Sequence, residues 1–184
     1  MHINYLGIKK NDNVVIHADI SSFGIYHKKL AFIIINNILK KIGKNGTIAF
    51  PLYNTSLDKK RIINLKKDFG KKENSFLSIF FFKNFKFTKT NSVFHSHLIK
   101  GKLENIFKKN LNFQSFGKNS DFDLFYKYVL KFLLLICETS KKCNYLHHIE
   151  NKKQKKYSVN KKFKLKINFK EKIFSKTINY GVRK

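Results

Sequence analysis

The stretch Cys143 to Glu150, CNYLHHIE, holds residue types suited to proton transfer. On a helix, Asn144, His147 and Glu150 fall three residues apart and share one face. A histidine beside a carboxylate can act as a general base near neutral pH. The same spacing also describes an ordinary surface pair, so context must decide. Upstream lies an apolar run, Val129 to Cys137, that reads as a buried strand, then a turn over 138–142 and a short helix. Ligands in α/β sheets bind just beyond the carboxyl ends of strands.

The elements that must position this group follow from the pattern before it. Asn13 to His17 reads as a buried strand, followed by a polar loop to Gly24. His27 to Gly43 has apolar residues at helical spacing and ends in Lys40, Lys41 and Gly43, which is helix-stop chemistry. Gly46 to Pro51 is a second strand, so the three elements form a βαβ unit with parallel strands. Asn54 to Lys72 reads as a polar surface excursion. Ser75 to Lys83 is apolar, and periodicity leaves helix and strand open. Thr88 to Ser96 reads as a polar loop leading to His97, and Lys102 to Lys109 as a short helix. Ser120 suits an N-cap with Asp123 at N3. Lys161 to Asn168 alternates as an edge strand would, its lysines discouraging further pairing.

Composition sets limits. A chain of 184 residues that is 42% hydrophobic can bury one good core, so one domain over 1–184 is expected. No uncharged apolar run approaches the 18 or so residues of a membrane span, so no membrane insertion is expected. The start, MHINYLGIKK, lacks a signal-peptide core, which points to the cytoplasm. Cys137 and Cys143 make no disulfide framework. The net charge of +28 invites a nucleic-acid partner. Yet the excess is lysine; Arg61 and Arg183 are the only arginines, and arginine is the residue suited to bidentate base and phosphate contacts. Abundant Lys, Asn, Ile and Phe are what AT-rich codons favour, so nucleic acid is not the expected partner. His95, His97, His147 and His148 lack HExxH spacing, and no CxxC is present; no metal is expected.

Five ordered segments together resemble the aminoglycoside 3-N-acetyltransferase family, over about residues 5 to 150. VVIHADISSFG is similar to that family's VHSSLSSIG, through His17, Ser21, Ser22 and Gly24. GTIAFP resembles GTLVMP through Gly46, Thr47 and Pro51. HSHLIKG is similar to HPxHSxxxxG through His95, Ser96 and Gly101, with Ser92-Val93 where the family has His-Pro. FGKNSDFDLF resembles FGxxSPFxxL through Phe116, Gly117, Ser120 and Phe122. The opening stretch is similar to LLLGxxxxxxTxLHxxE through Leu146, His147 and Glu150.

The resemblance implies an α/β fold with a mixed, largely parallel central sheet flanked by helices. It implies acetyl transfer from acetyl-CoA, a cosubstrate, to a primary amine of an amino sugar or aminoglycoside-like acceptor. His147 would be the base, oriented by Glu150, and Asn144 would stand where the family has an oxyanion-stabilising Thr. His17, Ala18, Asp19, Ser21 and Ser22 would meet the pantetheine arm. His95, Ser96 and Ser120 would serve the acceptor. Where many relatives carry a glycine pair opening the first helix, this chain has His27, Lys28 and Lys29; Lys28 would bind cofactor phosphate as a point charge. The basic segment 151–184 is shorter than in relatives, leaving either an open acceptor site or one completed in a homodimer. Only 11 acidic residues are present, so a less cationic acceptor than an aminoglycoside polycation is expected. The alternative is a degenerate, non-catalytic relative that binds CoA or another polyanion.

Overall fold

The computed structural model describes residues 6–18, 27–56, 62–70, 72–135, 148–149 and 158–183. Strand β1 (Asn13–Ala18) leads to helix α1 (Lys28–Ile42) and strand β2 (Thr47–Tyr53). β3 (Ile63–Asn64) and α2 (Phe76–Asn84) precede β4 (Thr88–Lys89) and β5 (His95–Gly101). Then come α3 (Glu104–Lys109), α4 (Asp121–Lys127), β6 (Lys131–Leu135), β7 (Ser158–Phe169) and β8 (Lys172–Arg183).

Five strands form a mixed sheet in the order β4-β5-β2-β1-β6. Its centre, β2-β1-β6, is parallel, while β5 runs antiparallel to β2 and to β4. Side-chain alternation sends successive residues to opposite faces. Val14, Ile16, Ile48, Phe50, Leu52 and Leu98 face α1 and α2, meeting Ile34, Ile35, Ile38, Leu77 and Phe81. Val15, Ala49 and Ile99 face the other way, onto Phe107 of α3 and Phe122 and Phe125 of α4.

Local chemistry explains the elements. α1 buries Ala31, Ile34, Ile35, Ile38 and Ile42, one stripe at helical spacing, and stops at Gly43. α2 is apolar all round because it packs on both β2 and α1, so periodicity alone left it undecided; the Ser75 hydroxyl, which accepts from the Ser78 N–H, starts it as a helix. Gly101 sits at φ 123°, and a Cβ there would lie 2.2 Å from the Gly46 carbonyl oxygen. Gly101 therefore lets β5 close onto β2.

The second sheet has the order β3-β7-β8. β7 is thus a middle strand, not the expected edge, although β3 pairs with it only at Ile167 and Asn168. β3 also gives the 54–72 excursion a buried anchor, with Ile63 and Leu65 packed against Leu165, Ile167 and Ile178. The true edge, β8, is capped by Gln114: its Nε2 donates to the Thr177 carbonyl at 3.1 Å, and its Oε1 accepts from the Asn179 N–H at 2.8 Å.

Two other expectations shift. His95 to His97 lie within β5, not in a loop, because the chain pairs fully with β2 there. The strand expected from Val129 begins at Lys131. Val129 instead closes α4 at φ 52°, with Leu130 N–H bonded to the Phe125 carbonyl and Val129 N–H to that of Tyr126. That is a Schellman ending, which favours glycine at this position. A left-handed β-branched residue costs roughly 1–2 kcal/mol. Val129→Gly should therefore raise unfolding free energy by about 1 kcal/mol in urea titration; a loss would refute that account.

Lys89 fastens β4 to the neighbouring turn by donating to the Asp68 carbonyl at 2.7 Å. Burial lowers its amine to about 8, against the opposing pull of Asp68. Between about 8 and the ordinary lysine value near 10.4, the unfolded chain binds more protons than the folded one. Stability at this site therefore rises with pH across that window. From pH 7 to 10 the wild type should gain stability relative to Lys89→Met; parallel pH curves would show that the amine is not buried.

Candidate active site

The parallel strands β1 and β2 end side by side, and their last side chains on the α4 face meet the start of β5. His17 lies two residues beyond Val15, Tyr53 four beyond Ala49, and His95 and His97 four and two before Ile99. All four therefore point to the same face. The His17 ring lies 6.4 Å from that of Tyr53 and 6.0 Å from that of Phe132. Tyr53 meets His95 edge-on at 5.0 Å and His97 at 5.7 Å.

His95 is the centre of an aromatic box. Tyr180, from β8, stacks on it at 5.5 Å with an interplanar angle of 4°. Phe116 lies 5.1 Å away and Phe122 6.1 Å. Phe122 also packs against His148 at 6.0 Å. His148 is buried, and its Nε2 lies 4.0 Å from the Asp123 carboxylate.

Behind the box is a buried polar network. The Asp121 carboxylate accepts from the Thr90 hydroxyl and pairs with His97 Nδ1 at 2.9 Å. Thr90 Oγ1 in turn accepts from the His97 N–H at 2.8 Å. With Nδ1 donating to Asp121, His97 is held in one tautomer.

Tyr53 is fixed from outside the sheet. Asn74 Oδ1 accepts from its N–H at 2.6 Å, and Asn74 Nδ2 donates to its carbonyl at 2.8 Å. The adjacent Glu73 accepts from the N–H groups of Thr55 and Ser56 at 2.5 and 2.6 Å. Burial works against its charge, but the hydrogen bonds from Ser56 and Thr55 win and hold the carboxyl below its usual range. Burial, with the negative field of Glu73, pushes the Tyr180 phenol up.

The expected site residues divide. His17 and His95 come together in the box. Ala18 is buried on the opposite face, toward α1. Ser96 also faces α1 and α2; its hydroxyl donates to the Leu52 carbonyl. Ser120 is buried and caps α4, accepting from the Asp123 N–H at 3.3 Å. Lys28 is exposed at the start of α1, whose N-cap His27 makes no side-chain cap bond and whose first turn has no acid. That end suits an anion. Asn144, His147, Glu150, Asp19, Ser21 and Ser22 lie outside the described residues, as do Cys137 and Cys143. Tyr53, Glu73, Asp121 and Tyr180 were not singled out as site residues from sequence. Tyr53 shares the parity of Ala49 along β2, a usable signal; Tyr180 had none, since its neighbour is set by the second sheet. Among the described residues no group of His, Cys, Asp or Glu is arranged to hold a metal ion, and no helix is long and apolar enough to cross a membrane.

No family model and no curated protein matches the chain. Solved structures do. The YokD protein from Bacillus subtilis superposes with a TM-score of 0.81 at 17% identity, over 99% of this chain and 79% of that one. AAC-IIIb in its binary complex with CoASH gives 0.79 at 15%, over 96% and 72%. The aminoglycoside acetyltransferase AAC(3)-Xa gives 0.82 at 14%, over 96% and 68%. The chain has the fold of these proteins.

Asp121 satisfies two buried partners, and each left bare costs about 1–3 kcal/mol. Asp121→Ala should therefore lower unfolding free energy by roughly 2–5 kcal/mol in urea. A loss below about 1 kcal/mol would show that the network is dispensable.

Proposed function

We propose that this chain is a divergent member of the aminoglycoside 3-N-acetyltransferase family, moving an acetyl group from acetyl-CoA to a primary amine. One observation carries the reading: His17, Tyr53 and His95 gather at the carboxyl ends of β1 and β2, and His148, next in sequence to His147, packs on the Phe122 that touches His95. The shared fold with a CoASH-bound enzyme adds to it.

In this reading the acceptor's protonated amine first gives a proton to His147, which Glu150 orients. The free amine attacks the thioester carbonyl, the N–C bond forms, and the C–S bond breaks. The nitrogen sheds its second proton as the amide forms, and the CoA thiolate takes up that proton. Asn144 donates a hydrogen bond to the oxygen that becomes negative. His17 borders the pantetheine arm, and Lys28 and Lys29 at the uncapped start of α1 hold cofactor phosphate. His95, walled by Tyr180 and Phe116, borders the acceptor. The acceptor is a small amino sugar with fewer positive charges than an aminoglycoside, and the reaction takes place in the cytoplasm.

The purified chain should bind CoA at micromolar concentration and release thiol with at least one member of a panel of amino sugars. His147→Ala should cut turnover about 10²- to 10⁴-fold while CoA affinity stays within threefold. CoA binding without turnover would favour the non-catalytic alternative. Salt-dependent RNA binding untouched by His147→Ala, with no CoA binding, would replace the reading with a nucleic-acid one.

A further inference from the structure

Strand β7 sets its positive charge in a row. Lys162, Lys164 and Lys166 alternate with Phe163, Leu165 and Ile167. The apolar set packs inward, and the three lysines stand exposed on the outer face. Successive members of such a row lie about 7 Å apart, twice the rise of a strand. Lys40 with Lys41, and Lys108 with Lys109, are exposed too, but they are sequence neighbours at helix ends and point apart around the axis. No other described strand puts three lysines on one face.

The row beside it is neutral. Lys162 pairs with Asn179, Lys164 with Thr177 and Lys166 with Ser175, so each lysine has an exposed amide or hydroxyl next to it. Lysine therefore did not simply fill every solvent-facing position of the hairpin. Glu171, the hairpin's single acid, lies in the turn beyond the row. Other lysines have visible partners: Lys176 and Lys170 lie over the rings of Phe113 and Phe169, and Lys131 pairs with Asp12. Lys162, Lys164 and Lys166 have no ion pair or ring contact among the described residues.

The form of the row selects its partner. A linear array of cations fits a linear anion with regularly repeated charge, as the phosphates of a nucleic-acid strand are. Neutral amides and hydroxyls beside the cations suit phosphate and sugar oxygens. A lipid surface asks for an apolar face next to the cations, and here only Ile173, near the turn, is large, apolar and exposed. The rings of the hairpin point inward, so the outer face has none on which bases could stack.

We propose that the outer face of the β7–β8 hairpin is a docking track for single-stranded nucleic acid, held through its phosphates by Lys162, Lys164 and Lys166. The total charge of the chain is no argument for such a partner; the order of these three lysines is. The track lies on the reverse of the face that carries Tyr180 and does not depend on the transferase reading.

Fluorescence anisotropy with a labelled oligouridylate tests this on the full chain. Three phosphate contacts at about −0.7 each contribute roughly −2 to the slope of log binding constant against log salt, between about 50 and 200 mM. Replacing all three lysines by Gln should remove that share and weaken low-salt binding by about tenfold or more. Replacing all three by Arg should keep both. A control with equal loss of charge, Lys40→Gln with Lys108→Gln and Lys109→Gln, should stay near wild type. An unchanged slope in the Gln variant, or an equal fall in the control, would overturn the proposal and leave the row a solvated face. So would capture of the chain by phosphatidylglycerol vesicles without binding to the oligomer. CoA titration of the same variants should match wild type, so failure of the track and failure of the transferase reading are read separately.

Discussion

The site hangs on one buried carboxylate. Asp121 opens α4 and reaches into the sheet to hold His97 and Thr90. That bond is a polar link between α4 and β5. With it, α4 is held where Phe122 and Phe125 pack edge-on against His97, at 5.2 and 4.7 Å. Phe122 is then in place to meet His95 on one side and His148 on the other. A wholly buried acid is normally a liability. Here two donors satisfy it, and the cost of desolvation becomes a fixed register between helix and strand.

The antiparallel step from β2 to β5 has a related role. In a fully parallel sheet the carboxyl ends would lie together and every β5 residue near the site would be the last of its strand. Because β5 runs the other way, its first residues stand opposite the last of β2: Tyr53 pairs with His95 and Pro51 with His97. Two histidines two residues apart thus reach the site from the start of a strand, with the backbone behind them fully bonded. Rigidity of this kind suits groups that must be aimed.

Much of this was legible in the sequence, for definable reasons. The βαβ unit from Asn13 to Pro51 follows from strand and helix periods that agree with local stop chemistry at Gly43. The cap at Ser120 follows from a hydroxyl three residues before Asp123. The errors lie where tertiary contact overrules the local pattern. The end of the Thr88 to Ser96 segment, with His97 beyond it, looks like loop because its histidines and serine are polar, but each of those side chains is buried with a partner or a ring. Val129 looks like strand because it is β-branched, yet the helix before it needed a left-handed residue to finish. β7 alternates as an edge would, and only the distant Ile63–Asn64 makes it central. Of the site itself, His17 and His95 could be named from sequence, whereas Tyr180 enters through a hairpin that no local signal ties to β5.

The hairpin of β7 and β8 carries Lys162, Lys164 and Lys166 on its outward face and Leu165 and Ile167 on its inward one. The cationic charge of the segment is therefore solvent-facing, while its apolar half holds Phe94 and Phe113. Its last strand has a bondable margin, and there Gln114 matters. A single carboxamide occupies one acceptor and one donor of β8, at Thr177 and Asn179, as a neighbouring strand would. It is a one-residue imitation of a strand. A second copy seeking to extend the sheet would have to displace it first, in addition to bringing lysine faces together. The margin of the hairpin is thus blocked at Thr177 and Asn179 against pairing with another strand.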